Sequence, residues 1–324
     1  MRFTAENIRY CLLAFATWEP QHAEEFVSQK IPLSGLFNWS LVFNGKRFFP
    51  RSRDEMAQFN LVHVNITANN LMLLPSMFKL LDRTKTKVIF NVDYALEMWY
   101  PHFKFPAIFL EQLDKADYIF SVEEEMAETL SMLLKRPIAC IPHPVAVEEI
   151  SKRKLTSRFP LIGAMHHIYD SNIILPSLAI NNAIEQWRPA WRSTAMGGIA
   201  NDKEVGHLYD NFLDHTPDFE RFITYLSNLY AVVESYTLRS YGRVTIECAA
   251  LGVPVIGSDL VSSQRRCFPL LCTENAQPSK TSVLLKRLIE DKDFWKICAR
   301  EGQTGAGYYS FEESKKRMLE FLNQ

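Results

Sequence analysis

The sequence predicts an α/β protein made of two Rossmann-like halves, each with a mostly parallel sheet and helices on both faces. Short apolar runs of strand type alternate with longer segments of helical periodicity along most of the 324 residues. The run 87–92 is almost continuously apolar, as expected for a strand that is buried on both faces. A polar segment at 147–158 interrupts this alternation, which then starts again, and we interpret it as a linker.

The first half contains strands and helices in the order typical of such a fold. We predict strands at 10–16, 61–66, 87–92, 118–122 and 139–141, and helices at 69–81, 105–115 and 123–134. Asp93 follows directly after the third strand. Because ligands of open α/β sheets bind at the carboxyl ends of strands, Asp93 is a candidate ligand contact. The alternative interpretation is that Asp93 is the N-cap of a following helix.

The second half repeats the pattern. We predict strands at 159–164, 193–197, 230–234 and 253–257, and helices at 173–186, 218–228 and 243–251. The segment 311–322 has the period of an amphipathic helix. We therefore expect a first domain at 1–150, a second domain at 151–309, and a closing helix at 310–324.

The composition excludes several classes of protein. With 36 basic and 37 acidic residues the formal charge is −1, so no overall field draws the chain to nucleic acid or to an anionic membrane. The six cysteines form no C-x-x-C pair and no zinc-type spacing. The first residues do not resemble a secretory signal, and the apolar run 10–18 is too short to span a membrane. We expect a reduced, cytoplasmic protein without an integral membrane segment, and peripheral association with a membrane stays open.

The strongest functional signal surrounds one predicted helix, 243–251. Gly242 precedes this helix, whose first N–H groups and partial positive charge are suited to hold phosphate oxygens. Arg239 and Arg243 are placed to add charge-assisted hydrogen bonds. Glu247 lies one turn further along, where a carboxylate can reach the hydroxyl pair of a ribose. The plainer alternatives are an ordinary glycine loop before a helix and an exposed helical glutamate.

Two strings in this segment follow one another. Tyr241-Gly-x-x-x-x-Glu247 is followed by Gly252-x-Pro-Val-Ile-x-Ser-Asp259. They resemble the donor-binding signature of retaining GT-B glycosyltransferases, the family of sucrose-synthase-like and mannosyltransferase-like enzymes. Further segments are similar to family motifs in the same order, namely 60–64, 87–93, 113–121 and 141–145. The resemblance therefore covers most of the chain.

The resemblance implies a GT-B fold, in which two Rossmann-like domains face each other across a cleft. It places the acceptor side in 1–150 and the nucleotide sugar in 151–309, with the helix 310–324 packing back on the first domain. It also implies transfer of a sugar from a UDP- or GDP-linked donor with retention, the departing phosphate helping to accept the proton of the acceptor. No metal ion is expected, and no cofactor besides the nucleotide-sugar substrate.

From the residues and the resemblance together we assign roles to single residues, with Asp93 standing where the family template has histidine. Those expected to bind the diphosphate are Ser240, Tyr241, Gly242, Arg243, Val244 and Thr245. Glu247 is expected to bind the ribose, and Asp93 the reacting sugar or the acceptor. Arg239 is assigned to a phosphate or to the donor sugar, and His166 is a further candidate donor contact.

Several positions depart from the family pattern. Arg239 stands where relatives carry the first glutamate of a paired-glutamate motif, so the usual sugar contact is either replaced by a contact to a phosphate or an acidic sugar, or lost. The segment 163–172 carries His166 and His167 in place of the Arg and Lys that neutralise the diphosphate, unless these are ordinary loop residues. The segment 16–20 lacks a Gly-Gly loop. The candidates to supply the missing charge are Arg239, Arg243, Arg265 and Arg266.

Two other functions stay open at this point. One is a transferase that glycosylates modified bases in nucleic acid, which the near-neutral charge disfavours. The other is a catalytically degenerate protein that binds a nucleotide or a sugar. The D-x-D string at 291–293 is interpreted as a solvated helix face, not as a metal site. The acceptor is expected to be a glycan, a lipid-linked sugar or a small molecule before nucleic acid.

Overall fold

The computed structural model describes residues 2–13, 35–48, 52–66, 71–93, 106–165, 174–196, 206–213, 218–236, 238–274 and 277–324. The chain divides into two compact units. One unit comprises Met1–Pro144 and Phe311–Gln324, and the other comprises Val145–Ser310. Among the helices of the described ranges, none combines the length and the apolar character that crossing a membrane requires.

The first unit is built on a parallel sheet, to which six strands contribute within the described ranges. They are β1 (Tyr10–Leu13), β2 (Lys46–Phe48), β3 (Leu61–Asn65), β4 (Lys87–Val92), β5 (Tyr118–Ser121) and β6 (Ala139–Cys140). Their order across the sheet is β2-β1-β3-β4-β5-β6. The helices of this unit are α1 (Gly35–Val42), α2 (Arg53–Ala57), α3 (Leu74–Phe78), α4 (Pro106–Leu113), α5 (Glu124–Leu134) and, at the end of the chain, α13 (Phe311–Leu322).

The two faces of this first sheet differ in chemistry. One face is apolar and packs against side chains of α3, α4 and α5. Its residues include Val62, Val64, Val88, Phe90 and Val92. Because side chains alternate along a strand, His63 and Asn91 lie on the opposite face, where both are fully buried. Trp39 of α1 covers this second face, its ring centroid 6.5 Å from that of His63 and 6.2 Å from that of Phe120.

The second unit contains another parallel sheet with six described strands. They are β7 (Leu161–Met165), β8 (Arg192–Met196), β9 (Asn211–Leu213), β10 (Ala231–Glu234), β11 (Val255–Ser258) and β12 (Cys272–Thr273). The helices are α6 (Val147–Ser151), α7 (Ile174–Ile184), α8 (Phe219–Asn228), α9 (Arg243–Leu251), α10 (Ser262–Cys267), α11 (Pro278–Glu290) and α12 (Lys292–Ala306). The strand order is β12-β11-β10-β7-β8-β9.

This strand order places a reversal point at the centre of the second sheet. The chain moves outward from β7 to β8 and β9 on one side, and from β10 to β11 and β12 on the other. At the carboxyl ends of the two central strands, Glu234 is the register partner of Met165. In open α/β sheets, ligands bind outside the strand ends at such a reversal. The fold therefore predicts a ligand site beside the segments that follow β7 and β10.

Most predicted elements are present, with ends shifted by at most two residues where both ends are described. The strand 87–92 and the helix 243–251 have the predicted bounds. The predicted helix-ending glycine, Gly252, has a φ of 69° and donates its N–H to the carbonyls of Cys248 and Ala249. The positive φ explains why glycine suits this position. Residues 14–16 of the predicted strand 10–16 lie outside the described residues.

Two predictions of local structure were wrong, and the helix α1 was not predicted. The supposed linker begins with the helix α6, whose Ile150 is fully buried, and a single turn is too short to show a period in the sequence. The helix α1 was missed because seven of its eight residues are buried, so it lacks an amphipathic pattern. Of the predicted helix 69–81, the described residues 71–81 contain a 3₁₀ turn and the short α3, where Pro75 lies in the first turn.

Candidate functional site

The loop before α9 requires glycine at its last position. Gly242 has a φ of 72°, in the left-handed region, and forms the N-cap of the helix. A Cβ atom there would lie 2.2 Å from Val261 Cγ1 and 2.3 Å from Ser263 Oγ. The hydroxyl of Ser263 donates to the Gly242 carbonyl over 2.8 Å. The close approach of α10 thus fixes the backbone from which α9 starts.

Backbone hydrogen bonds hold the rest of this loop against the segment before α10. Ser240 forms an isolated parallel bridge with Val261, and the Ser262 N–H donates to the Ser240 carbonyl over 2.9 Å. The Gly242 N–H donates to Ser240 Oγ over 3.1 Å. Among the described residues no side chain caps α9, and the first internal bond of this helix runs from the Ile246 N–H to the Gly242 carbonyl. The N–H groups of residues 243–245 precede this bond in the first turn and are therefore suited to bind an anionic ligand.

Glu247 is a buried carboxylate with one unsatisfied oxygen. Its side chain is 2 % exposed, and Arg243 Nε donates to its Oε1 over 2.8 Å. Its Oε2 has no hydrogen-bond partner among the described residues. Burial raises the pKa of Glu247, while Arg243 opposes that rise. A buried acceptor without a donor costs about 1–3 kcal/mol, so a ligand hydroxyl that donates to Oε2 would remove this cost.

Glu234 is a second buried carboxylate, and the sequence analysis missed it. It ends β10 at the reversal point of the sheet, and Thr245 of α9 donates its hydroxyl to Glu234 Oε2. Its Oε1 has no partner within the described part of the chain. Burial raises the pKa of Glu234 to about 7, the hydrogen bond from Thr245 opposes the rise, and the charge of Glu247 adds to it. The available signal was a carboxylate at the end of an apolar strand, the same rule that selected Asp93.

The remaining predicted residues of the second unit have mixed outcomes. Arg239, Tyr241 and Val244 are half-buried next to the start of α9. Arg243 uses one of its five N–H donors on Glu247. His166, which follows β7, lies outside the described residues, as does His167.

Two of the arginines proposed to supply charge have other contacts. Arg265 Nη1 donates to the Asp259 carbonyl over 2.5 Å. The guanidinium of Arg266 stacks over the ring of Tyr308 at 3.8 Å. Arg243 also has a partner, Glu247, and it is with Arg239 the candidate cation nearest in sequence to the start of α9.

The D-x-D string caps a helix. Asp291 accepts hydrogen bonds from the N–H groups of Asp293 and Phe294 at the start of α12, and Asp293 pairs with Lys296 over 2.9 Å. The interpretation as a solvated helix face holds for Asp293, while Asp291 is the N-cap. Within the described ranges, no group of three or more His, Cys, Asp and Glu residues is arranged to hold a metal ion.

Asp93 belongs to the first unit, at the carboxyl end of β4. Its side chain is 27 % exposed, and its Oδ1 accepts a hydrogen bond from His143 Nε2 over 2.8 Å and another from Asn91 Nδ2. The residues that follow Asp93 lie outside the described ranges, so the N-cap interpretation stays a prediction. His143 was quoted in the sequence analysis only as part of a family-like string, without a role of its own.

Comparisons with solved structures identify the architecture. HepE from Anabaena, in complex with UDP and glucose, matches with a TM-score of 0.68 and 11% identity over 98% of this chain and 99% of that chain. Sucrose-phosphate synthase from Thermosynechococcus elongatus matches with a TM-score of 0.66 and 12% identity over 96% and 97%. The chain has the GT-B fold. No protein-family model and no curated protein sequence matches it.

The GT-B fold agrees with the strand order of both units, each of which is Rossmann-like. A further match is an α,α-trehalose-phosphate synthase (UDP-forming) from Burkholderia vietnamiensis, with a TM-score of 0.65 and 9% identity over 81% of this chain and 74% of that chain. The predicted fold class is confirmed. At these identities the likeness concerns the fold alone, so the function is argued from the residues themselves.

Proposed function

We propose that this protein is a glycosyltransferase that binds a nucleoside-diphosphate sugar along the first two turns of α9. The observation that carries the proposal is that Oε2 of buried Glu247 has no hydrogen-bond partner among the described residues, one turn along from a helix start that none of these residues caps with its side chain. An anion at the helix start and a hydroxyl pair one turn along would satisfy both features. A nucleoside diphosphate carries these two groups in succession.

The residues around α9 support this division of the ligand. The diphosphate lies against the loop from Ser240 to Thr245, with Arg239 contacting a phosphate or the donor sugar. Glu247 accepts hydrogen bonds from the ribose, and His166 is a further donor contact. UDP and GDP are the expected nucleotides. The titles of the HepE structures, which name complexes with UDP and with UDP and glucose, support UDP as the first to try.

The proposed reaction transfers the sugar with retention and without a metal ion. The bond between the anomeric carbon and the diphosphate oxygen breaks, and a bond to the acceptor oxygen forms on the same face of the sugar. The acceptor hydroxyl loses its proton to the departing phosphate. Asp93 contacts the reacting sugar or the acceptor. The acceptor class remains a glycan, a lipid-linked sugar or a small molecule.

Binding of UDP and GDP measured by titration calorimetry tests the ribose assignment. Glu247→Ala is expected to weaken UDP binding at least tenfold, equivalent to about 1.4 kcal/mol. The decisive comparison uses 2′,3′-dideoxy-UDP, which lacks the hydroxyl pair. Wild type should prefer UDP over this analogue, and the preference should disappear in Glu247→Ala, as in a double-mutant cycle.

Glu290→Ala is the matched control, because Glu290 is an exposed helical glutamate elsewhere in the same unit. It should bind both nucleotides as wild type does. An equal preference for UDP in wild type and Glu247→Ala would contradict the ribose assignment. Donor hydrolysis and transfer across common nucleotide sugars then separates an enzyme from a binding protein. The replacement of the first motif glutamate by Arg239 is the observation that favours the binding protein if donors bind without reacting.

A further inference from the structure

A buried chain of hydrogen bonds in the first unit ends on Asp93. It runs along the polar face of the first sheet, and we call it the Asp93 network. Its members are Tyr10, Trp39, His63, Asn91, Asp93 and His143. All of them except Asp93 are at least nine-tenths buried. Two arms reach the carboxylate, and the chemistry of the donors fixes the direction of each bond.

The first arm begins at Tyr10 and passes through His63 and Asn91. The amide nitrogen of Asn91 donates to Asn65 Oδ1 over 3.1 Å and also to Asp93 Oδ1, so the amide oxygen of Asn91 is its acceptor. His63 Nε2, 2.6 Å from that oxygen, must carry the proton. His63 Nδ1 therefore accepts the Tyr10 hydroxyl at 2.5 Å. Burial lowers the pKa of His63 to about 3, which agrees with this neutral form.

The second arm fixes the protonation of His143. The indole N–H of Trp39 can only donate, and it lies 3.0 Å from His143 Nδ1. His143 Nδ1 is therefore the acceptor, and the ring proton is on Nε2, which donates to Asp93 Oδ1 over 2.8 Å. A proton on Nδ1 would place two N–H groups against each other, with both residues almost fully buried. Trp39 thus holds His143 in one neutral tautomer.

We propose that His143 is a positioning residue, which Trp39 locks in the Nε2–H tautomer so that it orients Asp93 toward a substrate hydroxyl. Both arms converge on Oδ1, so the second oxygen of this partly exposed carboxylate is the one that meets a ligand. A carboxylate accepts hydrogen bonds and repels phosphate, which makes a neutral sugar hydroxyl the group it recognises. The inference deepens the proposed glycosyl transfer and rests on it for the identity of that hydroxyl.

Nitrogen-15 NMR of labelled histidine tests whether Trp39 fixes the tautomer of His143, and it needs no substrate. In wild type at pH 7, His143 is expected to give the ring-nitrogen shifts of the Nε2–H tautomer. In Trp39→Phe, the Nδ1 shift should change, because this nitrogen no longer accepts a hydrogen bond from the indole N–H. His207, half-buried in the other unit, should give the same shifts in both proteins. A charged His143 or an Nδ1–H tautomer in wild type at pH 7 would overturn the proposal, whether or not Trp39→Phe folds.

Transfer or donor-hydrolysis kinetics test the positioning role. His143→Ala should lower kcat by on the order of 10- to 100-fold with the KM for the donor nearly unchanged, because Asp93 loses its orientation. His143→Gln places an amide nitrogen near the Nε2 position and should restore most of kcat, with the pH profile of wild type. A His143→Gln variant as slow as His143→Ala would refute positioning and make His143 itself a proton carrier. If wild type catalyses no reaction, the proposed function is overturned. The NMR spectrum would still show whether Trp39 fixes the tautomer of His143.

Discussion

Glu234 should make the stability of the protein fall as the pH rises from acid to neutral. Its carboxyl is buried at the end of β10, and the only hydrogen bond that it accepts from the described residues comes from Thr245. Replacement of Glu234 by glutamine keeps an acceptor for Thr245 and removes the ionisable group. We expect Glu234→Gln to be more stable than wild type at pH 8, and equal to it or slightly less stable at pH 5.

The sign and the size of this effect follow from the raised pKa. In the unfolded chain the carboxyl of Glu234 titrates near 4.5, and in the folded protein its pKa is about 7. Between these values the unfolded chain loses a proton that the folded protein keeps, so the free energy of unfolding decreases as the pH rises. The complete difference corresponds to about 3 kcal/mol. Above pH 7 wild type carries the whole of this penalty, and the glutamine variant carries none.

Urea-induced unfolding at pH 5 and at pH 8 measures the effect as a difference between variant and wild type. Glu123, whose pKa burial also raises to about 7, is present in both proteins and cancels. Glu290→Gln, at an exposed position, is the control and should follow wild type at both pH values. A stability difference between Glu234→Gln and wild type that is the same at pH 5 and pH 8 would refute the reasoning.

Two further predictions concern the start of α9. Gly242→Ala should destabilise the protein by about 2–5 kcal/mol, because of the left-handed φ and the overlap with Val261, and a thermal melt should show the loss. UDP affinity should fall on the order of tenfold between pH 6.5 and pH 8.5, because ionised Glu234 then places a negative charge near the diphosphate. Calorimetry should find this decrease in wild type and not in Glu234→Gln. A pH dependence shared by both proteins would assign it to the nucleotide.

The sequence predicted an element well where its apolar pattern or its ends had only one interpretation. After Lys87, β4 is a run of apolar residues broken only by Asn91, and α9 has a glycine with positive φ at each end, so both were bounded correctly. In contrast, α1 carries apolar residues all round, and α6 is a single turn with one buried side chain. Neither helix has a hydrophobic period in its sequence, so neither can be predicted without knowledge of the surfaces that bury it.

For the candidate site, the sequence indicated most of the residues but not the hydrogen bonds between them. Glu247 was selected for its spacing from Gly242, but the spacing did not reveal that Arg243 donates to one oxygen and that the other has no partner among the described residues. His143 was missed as a functional candidate because its partner Trp39 lies 104 residues away in the sequence. Glu234 was missed although it ends an apolar strand, the position that selected Asp93. Burial and hydrogen-bond direction arise only from the packing of the fold.

The polar face of the first sheet has a consequence for sequence divergence. On the apolar face, one aliphatic side chain can replace another of similar volume with a modest loss of stability. In the Asp93 network each donor needs its particular acceptor, so a change at one member leaves another with a buried, unmatched group. Substitutions in the Asp93 network should therefore occur at both members of a hydrogen-bonded pair together. In distant homologues, Trp39 and His143 should therefore be kept or exchanged as a pair, and a tryptophan beside a different residue at position 143 should be rare.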